Sequence, residues 1–247
     1  FIELYTALSP DEYESARAST LTAFYTPVEV TDAIYSVLGN LGFTKGNVLD
    51  PGCGIGSFSG RMPASMSQSK VYGIEKDDLS GRIARQLYQK NNIAIEGYED
   101  TRLPDNFFDV AVGNVPFGNF KVNDKRYDKL NLQIHDYFFA KTLDKVRPGG
   151  VIAFVTSSGT MDKQSTEFRR YLSQRADLLG AIRLPNNTFK ANAGTDVTSD
   201  IIFLQKRDVP RVAEAEWVEL DRPYDWETRT YGPEVNAYFA QNPEMVL

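Results

Sequence analysis

Between about residues 47 and 207 the chain alternates short apolar runs with amphipathic stretches, and nothing else in it constrains the fold as strongly. The apolar runs are "NVLDPGC", "KVYGIE", "IAIEG", "FDVAVGN", "VIAFVTS", "LLGAIRL" and "DIIFLQK". Runs that stay apolar along their length belong to strands buried on both faces. The stretches "LSGRIARQLYQKN", "IHDYFFAKTLDKV" and "TEFRRYLSQRA" carry helical periodicity and fall between them. Strands interleaved with helices define the α/β class. We expect a Rossmann-like, seven-stranded, mainly parallel sheet with helices on both faces.

The core domain is expected over residues 21–207, behind a polar lead-in helix at 1–20. Thr26-Pro27-Val28-Glu29 has the spacing of a capping box, with Pro at the first helical position. Residues 208–247 are polar, aromatic and Pro-bearing without periodicity, and read as an irregular appendage or the start of a further region. The chain begins at Phe1 rather than Met, so it is expected to be a piece of something longer.

Composition narrows the function. Hydrophobic residues make up 42% and aromatics 12%, enough for a sizeable core. The apolar runs are too short to span a bilayer and no leader is visible, so no membrane association and a cytoplasmic location are expected. A single cysteine, Cys53, and a single histidine, His135, give neither a disulfide framework nor a metal site. His135 lies in the helical stretch "HDYFF" and reads as structural, since no G-x-S-x-G elbow accompanies it. The formal charge of −6 argues against a generally basic nucleic-acid-binding surface, though not against a local patch.

Chemistry enters where strands end. "LDPGCGIGSF" follows the first strand, with Gly52, Gly54 and Gly56 allowing a tight turn and close backbone approach. The dinucleotide fingerprint G-x-G-x-x-G is absent. Asp50 would repel a pyrophosphate but suits a ligand with a cationic amino end. Glu75, closing the second strand, can accept both hydroxyls of a ribose. Ribose, amino group and no phosphate together describe S-adenosylmethionine better than NAD or ATP.

The fourth strand ends in Asn114-Val115-Pro116-Phe117. A flat, amino-bearing target such as adenine has an exocyclic nitrogen that is a poor nucleophile, because its lone pair is delocalised into the ring. Two acceptors on its hydrogens, the Asn114 side-chain oxygen and the Val115 carbonyl, would localise that pair. Pro116 stiffens the turn, and Phe117 offers a stacking face worth about 1–3 kcal/mol per base.

In order and content, "FYTP" at 24–27, "DPGCGIGSF" at 50–58, Glu75 and "NVPF" at 114–117 resemble the motifs of N6-adenine DNA methyltransferases, in particular the modification subunits of type I restriction systems. The wider text is similar to the methylase part of helicase-linked methylases of phages and mobile elements. The resemblance implies a class I methyltransferase fold and places Phe24, Tyr25, Thr26, Pro27, Asp50, Gly52 and Gly54 at the cofactor. It also assigns Asp100 to the cofactor's adenine and Phe189 to the extruded target base. The family's usual form is N-P-P-Y/F, so Val115 in second place implies a less rigid turn. Lys121, Lys125 and Arg126, just past the clamp, are candidates for DNA phosphates. The expected reaction is methyl transfer to adenine N6 in DNA with the base flipped out. The alternatives are a glutamine or RNA-base methyltransferase and a non-catalytic cofactor-binding scaffold. A helicase or target-recognition region in the same polypeptide or a partner subunit is expected to supply sequence choice.

Overall fold

The computed structural model describes residues 6, 8–10, 12–13, 26–189, 198–212, 215–225 and 227–247. Most of the lead-in stretch lies outside them, as do Phe24 and Tyr25. All seven apolar runs form strands of one sheet: β1 (Asn47–Asp50), β2 (Lys70–Glu75), β3 (Asn92–Ile95), β4 (Phe108–Asn114), β5 (Val146–Ser157), β6 (Ala176–Leu184) and β7 (Ser199–Lys206). Their order is β3-β2-β1-β4-β5-β7-β6. β1 to β5 are mutually parallel, while β7 runs antiparallel to both β5 and β6.

Strand side chains alternate between the two faces, and each face meets its own helices. Along β4 and β5, Ala111, Ile152 and Phe154 point to one core. Val110, Val112, Val151, Ala153 and Val155 point to the other. The first core is closed by α4 (Ile134–Lys145) and α6 (Glu167–Arg175), the second by Val30, Ile34, Tyr35 and Leu38 of α1 (Val28–Asn40). Shorter helices α2 (Ser57–Arg61) and α5 (Gly159–Asp162) follow β1 and β5, and α3 (Asp78–Leu87) joins β2 to β3.

The capping-box reading of Thr26 to Glu29 is corrected. α1 starts at Val28, and its N-cap is Pro27 with an extended ψ of 147° and no side-chain cap. The Pro27 carbonyl takes the first helical N–H, from Thr31 at 3.2 Å. Thr26 therefore lies one residue outside the cap position.

Residues from 208 onward form short elements laid on the domain. Two-residue strands pair Leu220–Asp221 with Val235–Asn236 and Tyr224–Asp225 with Thr230–Tyr231, ahead of α7 (Ala237–Gln241). Trp217, Val218 and Phe239 are buried. Arg169 Nε donates to the Val218 carbonyl at 2.6 Å. The Arg183 guanidinium, paired with Asp162 and Asp200, stacks 4.3 Å over the Phe239 ring. Asn236 is fully buried; its Nδ2 donates to the carbonyls of Met161 and Trp217, and its Oδ1 accepts the Tyr238 N–H at the start of α7. Asn236→Ala should cost about 2 kcal/mol, as it removes a cap and leaves two buried carbonyls unpaired. Denaturant unfolding measures this, and a loss below about 0.5 kcal/mol would mean that the segment contributes little to stability.

Candidate active site

Successive strands step one way from β1 to β3 and the other way from β1 to β4, so the sheet reverses between β1 and β4. Ligands bind outside the carboxyl ends of strands at such a reversal. The ends that meet there are Asp50 of β1, Glu75 of β2 and Asn114 of β4. A cleft of about 400 Å³ opens at this edge.

The glycine loop forms one wall. Gly54 and Gly56 have φ of 54° and 92°, in the left-handed region. A Cβ on Gly56 would lie 2.3 Å from the Tyr88 ring, so both conformation and space call for glycine there. The loop is laced to β2: Cys53 N–H donates to the Ile74 carbonyl at 2.9 Å. Glu75 accepts the Gly54 N–H at 2.7 Å on one oxygen and the Asp77 N–H at 2.8 Å on the other. Burial raises the Glu75 pKa, and these amides oppose it.

Asp50 sits behind this wall, 1% exposed, and neither carboxylate oxygen has a hydrogen-bond partner. A Cβ at Gly113 of β4 would lie 3.1 Å from its Oδ1. Burial pushes its pKa up to about 8, the Gly52 N–H bearing on it too weakly to hold the charge and Glu75 raising it further. The folded protein thus keeps a proton that the unfolded chain releases near the ordinary value of 3.8. The unfolded state binds fewer protons across this window, so stability falls as pH rises from about 4 to about 8. Asp50→Asn should flatten the decline in melting temperature across that window in the ligand-free protein. An unchanged slope would show that Asp50 is not the group responsible.

The second wall is the turn after β4. Asn114, Val115 and Pro116 all line the cleft, and a Cβ on Gly52 would lie 3.8 Å from the Asn114 carbonyl oxygen. Val115, expected to leave this turn less rigid than proline would, has a tie of its own. Its side chain is 2% exposed within the core, and its N–H donates to the Val155 carbonyl of β5 at 3.0 Å. Proline has no N–H to make that bond, so valine anchors the turn by a route proline cannot.

The third wall is an apolar slot. Tyr98, which begins a 3₁₀ turn at Tyr98–Asp100, lines it with Phe120, Val122 and, from α4, Ile134 and Phe138, whose ring lies 4.9 Å from that of Tyr98. Glu96, Glu99 and Asp77 rim the cleft, and Lys76 pairs with Glu99 at 2.7 Å.

Several expected site residues fall elsewhere. Thr26, Gly52, Gly54 and Glu75 line the cleft, but Pro27 and Asp50 do not. Asp100 is exposed and outside the lining, where its neighbour Glu99 stands instead. Phe117 is half-buried and packs against both cores, whereas Phe120, 51% exposed, lines the cleft. Phe189 is 2% exposed within the α1-side core. Arg126 is engaged by Asp105 and Asp144 at 2.8 Å each, and Lys121 donates to the Asn131 side chain. Lys125 is exposed. His135 is buried against Asp136, and burial lowers its pKa, as suits a structural histidine. Among the described residues no His/Cys/Asp/Glu group could hold a metal, and no helix is long and apolar enough to cross a membrane.

The strand order with an antiparallel seventh strand, the glycine loop and the β2-end acid define the class I S-adenosylmethionine-dependent methyltransferase fold. The pattern of the N-6 DNA methylase family matches residues 8–229, and the chain belongs to that family. It is 31% identical over 199 residues to the defense against restriction protein B of Escherichia phage P1, which covers 78% of this chain and 9% of that protein. It is 24% identical over 237 residues to the type I restriction enzyme EcoEI methylase subunit of Escherichia coli, covering 83% of this chain and 46% of that subunit. Among solved structures it resembles a modification subunit of a putative type I restriction enzyme from Vibrio vulnificus YJ016. There the TM-score is 0.62 at 21% identity, over 81% of this chain and 47% of that one. The chain thus spans less than half of each of these relatives.

Proposed function

We propose that this chain is the catalytic part of an enzyme that methylates the N6 amino group of adenine in DNA, with the base turned out of the duplex. The observation that carries the reading is one juxtaposition. The glycine loop with Glu75 and the Asn114–Pro116 turn line the same cleft, and Gly52 approaches the Asn114 carbonyl.

The residues fit the cofactor. Asp50 is a buried acid without a hydrogen-bond partner behind the glycine loop, and the ligand's ammonium brought against it would favour its ionised form. Glu75 is held by two amides with its carboxylate at the cleft, which suits ribose hydroxyls. The slot between Tyr98 and Phe120 suits a purine ring. When bound, S-adenosylmethionine supplies an activated methyl on sulfur. The Asn114 side-chain oxygen and the Val115 carbonyl accept the two amino hydrogens of adenine and localise its nitrogen lone pair. Pro116 and the Val115–Val155 bond hold these acceptors still. Positioning of this kind needs no strong side-chain base.

Residues 21–207 form the catalytic unit in this reading. Base choice by sequence, and any helicase, belong to a region or subunit outside the chain, consistent with the share of the relatives it spans. The test is transfer of labelled methyl from S-adenosylmethionine to duplex DNA, RNA and protein in parallel, with the product base identified. Label in DNA as N6-methyladenine supports the reading. Label confined to RNA or protein, or cofactor binding without transfer to any of the three, overturns it.

A further inference from the structure

α4 carries Ile134, Phe138, Lys141 and Lys145 at spacings of four, three and four, so they share one helix face. The first two line the apolar slot. The next two are lysines, 3% and 6% exposed, and burying two ammonium groups demands an explanation. Lys145 Nζ donates to the Leu103 carbonyl and to Asp105, holding the chain between β3 and β4. Lys141 does something more specific.

Its Nζ donates to the carbonyls of Tyr98 and Glu99, at 2.6 and 3.3 Å, and to Asp124 Oδ2 at 3.0 Å. The first two acceptors belong to the turn that lines the slot with Tyr98 and Glu99. The third belongs to the loop that lines it with Phe120 and Val122. Asp124 is tied in further by the Tyr137 hydroxyl at 2.8 Å and, through its own N–H, by Asp128 at 2.8 Å. The rings of Tyr98 and Tyr137 lie 5.0 and 5.8 Å from Nζ. One buried ammonium thus ties together two chain segments that both line the slot.

We propose that Lys141 is a positioning residue that sets the width of this slot and thereby the grip on the purine end of the cofactor. The inference rests on the proposed methyltransferase reading for the identity of the ligand. Lys141 does not touch the ligand. It fixes the separation between Tyr98–Glu99 and Phe120–Val122, and the purine stacks between sides already in place. A buried network held at one charged node loses its register when the node is removed.

The experiment compares wild type with Lys141→Met, which keeps an unbranched side chain in place of the lysine stem and removes its charge and donors. Binding is measured by calorimetry for S-adenosylmethionine and for 5′-methylthioadenosine, which carries the purine and ribose without the amino-acid end. Lys141→Met should weaken both by about tenfold, the scale of one charge-assisted hydrogen bond. In steady-state turnover the KM for the cofactor should rise by a similar factor, with kcat at saturating cofactor nearly unchanged. A lower melting temperature with unchanged affinity in the folded fraction would overturn the proposal, because Lys141 would then serve stability alone. Loss of affinity for the full cofactor but not for the purine fragment would overturn it too. Should Lys141→Met fail to fold, Asp124→Asn releases only the loop side, and about a threefold loss for both ligands is expected. Unchanged binding in that variant would count against the tie. If wild type binds neither ligand, the methyltransferase reading fails. The structural tie is then judged by hydrogen exchange: Lys141→Met or Asp124→Asn should speed exchange in residues 118–131, and equal protection would overturn it.

Discussion

Asn114→Ala should lower N6-methyladenine formation by about 10²–10³-fold while leaving S-adenosylmethionine affinity within about twofold of wild type. The amide oxygen is one of two acceptors that localise the adenine lone pair, and removing a preorganised polar contact at a reacting atom costs on that scale. Asn114 ends β4, and the turn after it is anchored through Val115 to β5, so truncation of the side chain should leave the backbone acceptor in place. Residual activity above background is therefore expected from the Val115 carbonyl and from proximity alone. Single-turnover methylation of an adenine-containing duplex with saturating cofactor isolates the transfer step. Wild-type rates in the variant would remove Asn114 from the chemistry. A loss of cofactor binding in step with turnover would place it in the cofactor site instead.

The sheet was legible because parallel strands buried on both faces are written as unbroken apolar runs. The direction of β7 was not, since "SDIIFLQK" reads the same whether it runs with its neighbours or against them. The placement of the strand ends was legible for a similar reason: Asp50, Glu75 and Asn114 each close an apolar run, and that position alone brings them to one edge. Which of two near neighbours lines the cleft was not legible. Phe117 and Phe120 flank Gly118, and which ring reaches the cleft depends on a loop pinned from a distance by Asp124 and Lys141. Glu99 and Asp100 are adjacent in a 3₁₀ turn, where consecutive side chains diverge by about a third of a turn. Lys141 and Lys145 left a signal that went unread: two lysines continuing the face of Ile134 and Phe138 cannot both be solvated if that face is buried. The docking of the last 40 residues had no periodic signature, because its buried residues come from short, separate elements.

Glu75→Gln should weaken S-adenosylmethionine by about 10²-fold and move kcat at saturating cofactor by less than about threefold. The substitution looks conservative, but the site is built for two acceptors. One Glu75 oxygen receives the Gly54 N–H and the other the Asp77 N–H. A glutamine amide has one oxygen, so whichever way it turns, its NH2 confronts a backbone donor. The variant then either leaves one amide unpaired or swings out of the position from which ribose hydroxyls would be held. The loop amide at stake belongs to Gly54, whose left-handed backbone shapes the glycine-loop wall. The loss should therefore fall on the cofactor as a whole, and 5′-methylthioadenosine should show it in full because it keeps the ribose. Adenine alone, lacking the hydroxyls, should discriminate poorly between wild type and variant. Competition binding of the three ligands gives the answer. A variant that binds S-adenosylmethionine as tightly as wild type would mean that the carboxylate braces the glycine loop without meeting the ribose.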